Sequence, residues 1–142
     1  MPKIPAQKVP SQMKLRELSE LSSEYAEKAT RISDLVEEAE QFLCSMPGKV
    51  EARVEDGDYV LRFDRSHNKK WGLKLDVPDE HGDPYTLVVT ESAIDVKATA
   101  VGMFPTLFDE LLDTMRSRLK IVKAGLESES ELEALFGKGD DE

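Results

Sequence analysis

Between Arg62 and Lys74 the chain places Arg62, Arg65, Lys69, Lys70 and Lys74 against one carboxylate, Asp64, with Asn68 and Trp71 among them. Cations beside an aromatic ring suit phosphate contact and base stacking. This stretch is therefore the candidate nucleic-acid or anion site, with Arg62, Arg65, Lys69 and Lys70 as the contacts. Trp71 is also in phase with Leu73, Leu75 and Val77, so the competing reading is a core tryptophan flanked by solvated lysines.

A second group is acidic. Asp56, Asp58, Asp79, Glu80 and Asp83 fall in two turns that a meander brings to one end of its sheet. Carboxylates converging on a hard cation would support a metal-dependent enzyme. The D-x-[DN]-x-[DN]-G pattern is absent, however, and turns use aspartate for backbone reasons alone. A solvated acidic rim is the stronger reading, and neither metal nor cofactor is expected.

The remaining reactive side chains are few. His67 and His81 fall in successive connections, which a meander places at opposite ends, so they are not expected to meet. Cys44 is the single cysteine, which excludes an internal disulfide and a cysteine-based zinc site. No phosphate-binding glycine loop, HExxH pair or nucleophile elbow occurs. The expectation is a chain that is not an enzyme.

The elements that must position these groups centre on residues 49–63. Val50, Ala52 and Val54 alternate with charged residues, Asp56-Gly57 follows, and Tyr59, Leu61 and Phe63 alternate again. This is a hairpin signature. A turn at Asp56-Gly57 pairs Val54 with Tyr59, Ala52 with Leu61 and Val50 with Phe63, and sets Glu51 opposite Arg62. Trp71 to Val77 predicts a third strand with one apolar face. Residues 85–90, apolar at most positions, read as a fourth, interior strand.

Two long helices flank the strands. From Ser11, a candidate N-cap, apolar residues recur every three or four positions from Leu15 to Met46, where Met46-Pro47-Gly48 ends the run. Leu18, Tyr25, Ile32, Ala39 and Met46 lie at seven-residue steps. Such a helix is longer than a small sheet can cover, so its surplus stripe calls for a second long helix in this chain or in another copy. Residues 92–104 fit either strand or helix. Helix is preferred, led by a Ser92-x-x-Asp95 cap, because the same phase continues to Val122; a kink is expected near Gly102 and Pro105, and Gly125 would cap the end.

The fold expected is α+β, a four-stranded antiparallel meander packed against two long helices. Residues 1–10 are expected to be a mobile arm, 11–126 a single α+β domain, and 127–142 an acidic tail with a short helix near 128–136. The tail carries seven carboxylates and one lysine, a net −6 of the chain's −10. Overall acidity argues against non-specific nucleic-acid or membrane binding by the whole chain. With no apolar run of membrane length and no leader-like block, a cytoplasmic location is expected. The function expected is a non-enzymatic protein–protein interaction or assembly module, with a protein partner or a second copy as in a homodimer. Its candidate interface residues are Leu18, Tyr25, Ile32 and Leu35.

Overall fold

The computed structural model describes residues 3–65 and 69–140. Helix α1 (Lys3–Ser45) leads to strands β1 (Ala52–Asp56), β2 (Tyr59–Asp64), β3 (Gly72–Pro78) and β4 (Pro84–Val88). A 3-10 turn (Val89–Glu91) then opens into α2 (Ile94–Leu126), and α3 (Glu129–Asp140) follows. The strands form an antiparallel meander in the order β1-β2-β3-β4. The α+β architecture matches the one read from the sequence.

The hairpin register differs from the expected one by two residues. Ala52 lies opposite Phe63, Val54 opposite Leu61 and Asp56 opposite Tyr59, so the two-residue loop is Gly57-Asp58. Gly57 has φ +62° while Asp58 does not enter the positive region. Glycine first in the loop, with the left-handed conformation confined to it, is the pattern of a type II′ turn. A shift of two leaves every side chain on its expected face, because the strand period is two. It does replace the Glu51–Arg62 pairing by Arg53 opposite Arg62.

Three further differences concern ends. α1 starts at Lys3, so Ser11 lies inside the helix instead of capping it, and residues 3–10 continue the helix where an arm was expected. β4 is an edge strand, and the chain leaves it at Val88; Val89, fully buried, belongs to the 3-10 turn. Ser92 donates to the Val88 carbonyl at 2.6 Å and does not cap α2, whose first flanking residue is Ala93. α2 then runs unbroken through Pro105 and past Gly125 to Leu126.

One face of the sheet carries the core. Leu61, Phe63, Leu73 and Leu75 are fully buried there, with Val36 and Leu43 from α1 and Ala100, Met103, Phe104, Leu107 and Leu111 from α2. Trp71 packs on this cluster, its ring stacked on Phe63 at 5.2 Å between centroids. The phase argument for a core tryptophan thus describes its position.

The two helices run parallel where they meet. Lys97 Nζ lies 3.4 Å from Ser33 Oγ, and further along both helices Phe42, Leu43 and Met46 share a groove with Phe108, Leu111, Leu112 and Met115. The contacts advance together along each helix. As a result α1 overshoots the body at one end and α2 overshoots it at the other.

Candidate interaction surfaces

The α1 overshoot is exposed without interruption from Ser11 to Lys28, about 27 Å of helix at 1.5 Å per residue. Leu15, Leu18, Leu21 and Tyr25 all lie open, Leu18 and Tyr25 each at 62%. Steps of seven and eleven residues return to the same side of a helix. Leu18 and Tyr25 therefore share a face with Val36 and Leu43, which are 0% and 3% exposed. One stripe is core at Val36 and Leu43 and bare at Leu18 and Tyr25. The four interface residues chosen from the sequence divide accordingly: Leu18 and Tyr25 are open, while Ile32 and Leu35 are half-buried beside the body.

The α2 overshoot is similar in shape and different in charge. Leu119, Val122 and Leu126 continue the side of α2 that faces α1 as far as Met115, yet each is about half exposed. Leu119 and Val122 keep the phase expected from the sequence, on a face that is open here. α1 ends at Ser45, and the described residues leave them open. Between 116 and 126 the charged residues are Arg116, Arg118, Lys120 and Lys123, with no carboxylate. Beyond Leu126, α3 does not fold back on α2: Leu132, Leu135 and Phe136 are all open.

The outer face of the sheet holds charge, part of it buried. Lys74 is 3% exposed, and its Nζ donates to Asp64 Oδ1 at 2.6 Å and to the Asp64 carbonyl at 2.9 Å. Arg62 reaches Asp64 on its own strand and Asp76 across the sheet, and Thr86 Oγ1 donates to Asp76 at 2.6 Å while accepting from Arg62. Burial pulls the Arg62 pKa down, but the hydrogen bond to Asp76 and the charges of Asp64 and Asp76 outweigh it and hold it above the usual arginine value. No buried side-chain nitrogen or oxygen among the described residues lacks a partner. Such completeness is what permits ions in so dry a place.

This network bears on the basic stretch. Arg62 is committed to Asp64 and Asp76, and the Arg65 guanidinium lies over the Trp71 ring at 5.8 Å from its centroid. Lys69 and Lys70 remain open to solvent, Lys69 with φ +60°. His67 and Asn68 lie outside the described residues. Of the four candidate contacts, Arg62 is thus ion-paired within the sheet, while Arg65, Lys69 and Lys70 are exposed.

The acidic turns resolve into backbone chemistry. Asp79 Oδ1 accepts from the backbone N–H groups of His81 and Asp83, both at 2.8 Å. Among the described residues, no three side chains of histidine, cysteine, aspartate or glutamate are grouped to hold a metal.

Cys44 is half-buried near the end of α1, its thiol 3.4 Å from the Trp71 carbonyl oxygen. Desolvation first, and then the Glu40 charge, push its pKa above the ordinary thiol value. A thiol so placed is a weak nucleophile at neutral pH.

No helix among the described residues is long and apolar enough to cross a membrane. Comparison with family models, with curated proteins and with solved structures gives no match.

Proposed function

We propose that this chain is a non-enzymatic assembly module whose α1 overshoot pairs with the same segment of a second copy. The observation that carries this reading is the continuous stripe of α1, core-forming at Val36 and Leu43 and bare at Leu18, Leu21 and Tyr25. Most helical stability in proteins comes from packing of an amphipathic face, and an apolar stripe along a long helix is what a partner helix covers. Two copies aligned along the stripe bury the same residues from both sides, which is the geometry of an isologous dimer. Salt bridges on the helix surface, such as Lys28 to Glu24 at 3.6 Å, are exposed and leave the stripe open.

The test is solution mass by light scattering across a concentration series. The native chain is expected at a multiple of 15.9 kDa. The double variant Leu18→Asp, Tyr25→Asp is expected to drop to a smaller assembly with unchanged circular dichroism. A native chain at the single-chain mass throughout, or a double variant with native mass, overturns the reading.

A further inference from the structure

At the other end of the molecule, we propose a second and independent contact, in which α3 of one copy lies antiparallel along residues 115–126 of α2 of another. The two surfaces are complementary in both charge and shape of pattern. Residues 116–126 carry four cations and no carboxylate, and residues 127–136 carry four carboxylates and no cation. On α2 the cations stand to either side of the Leu119–Val122–Leu126 stripe, Arg118 on one flank and Arg116 with Lys123 on the other. On α3 the apolar spot of Leu132, Leu135 and Phe136 is flanked by Glu131 on one side and by Glu129 with Glu133 on the other. Apolar seams bordered by opposite charges are the arrangement that sets partner and orientation between paired helices.

The connection favours another copy over the same chain. Glu127 keeps helical backbone angles, φ −59° and ψ −23°, and its N–H bonds to the Ala124 carbonyl. A two-residue turn, Glu127-Ser128, then leads into α3, whose Leu132, Leu135 and Phe136 stay exposed instead of packing on the α2 of their own chain. Two such ends side by side, related by a two-fold axis near residue 127, bring each α3 onto the other chain's basic stripe. Leu119 then comes opposite Phe136, at the end of the stripe that runs into the groove of about 190 Å³ between Phe42 and Met115. A single two-fold covers four exposed surfaces together, and each copy supplies both halves of the contact.

The contact is tested apart from the α1 contact by placing every variant in the Leu18→Asp, Tyr25→Asp background, which removes the latter. Three proteins are compared by sedimentation velocity: the background alone, the background with Arg116→Glu and Lys123→Glu, and the background with Glu129→Lys and Glu133→Lys. All substituted positions are exposed, so circular dichroism should stay unchanged.

The background is expected to dimerise, more weakly as salt is raised. Each charge-reversed protein alone should show an apparent dissociation constant raised about tenfold or more. An equimolar mixture of the two should restore the dimer, since each then finds an opposite charge only on the other. A monomeric background, or a reversed protein that dimerises unchanged, overturns the proposal. A cysteine pair at Leu119→Cys and Phe136→Cys, with Cys44→Ser, separates the remaining case. Covalent dimers on oxidation support the contact; a closed monomer means that α3 folds back on its own chain and overturns it.

Discussion

The outer face of the sheet and the overshooting ends of the helices invert the usual distribution of residues. On the sheet a lysine and an aspartate are nearly dry, Lys74 at 3% and Asp64 at 8%, whereas on the helices Leu18 and Leu119 are open at 62% and 49%. Burying an ion costs far more than burying a leucine gains, so buried charge persists only where its partners are complete. Lys74, Asp64, Arg62, Asp76 and Thr86 satisfy one another within the chain. The leucines have no such closure. The charged face is satisfied by the chain's own residues, whereas the described residues leave the apolar stripes at the helix ends open.

The sharpest way to break that contrast is at the charged face. Asp64→Ala strands Lys74 and should cost about 3–5 kcal/mol of unfolding free energy in urea titrations, with the domain's fold lost if its reserve is smaller. Replacing Lys74 and Asp64 together, by Met and Leu, should recover most of that loss. A double variant as unstable as the single one would mean that the pair stabilises beyond its mutual compensation.

The same leucine truncation at two sites measures the other half. Leu107→Ala, fully buried in the body, should cost about 2–5 kcal/mol. Leu18→Ala, measured on the single-chain species at low concentration, should change stability by no more than about 0.5 kcal/mol. Equal costs at the two sites would remove the distinction between body and overshoot.

The smallest expected effect is at Cys44. Its folded pKa is raised, so the protonated thiol is favoured in the native state. The contribution to stability is present at neutral pH and is lost as pH climbs through the ordinary thiol value toward the raised one. Alkylation by iodoacetamide at pH 8 should accordingly be slower in the native chain than in urea. Equal rates would place the thiol in solvent.

The sequence made the faces legible and left the partners of individual residues open. Alternation in residues 50–63 determined which side chains meet the core, because a two-residue change of register keeps every one of them on its side. The choice between registers rested on Gly57, whose positive φ suits the first loop position of a II′ turn as well as the second of a I′ turn. Residues 85–90 read as an interior strand; in the fold they form the edge strand as far as Val88 and then turn, with Val89 buried in the core. Lys74 read as solvated because alternation assigns it to the outer face. A signal was present, since Arg62, Asp64, Lys74 and Asp76 share that face at neighbouring positions, but only a register with three strands in place turns it into contacts. For the α1 stripe, periodicity picked out Leu18, Tyr25, Ile32 and Leu35 as candidates. It could not say where coverage stops, because that depends on where α2 begins alongside α1.

Parallel packing of α1 and α2 also has a mechanical consequence. Their free ends leave the body in opposite directions, and the overlap between Ser33–Lys97 and Met46–Met115 lies along the line joining them. Tension applied between the two ends acts along that line and loads the interdigitated side chains in shear, all of them together. Two antiparallel helices pulled from a common end would instead peel apart one turn at a time.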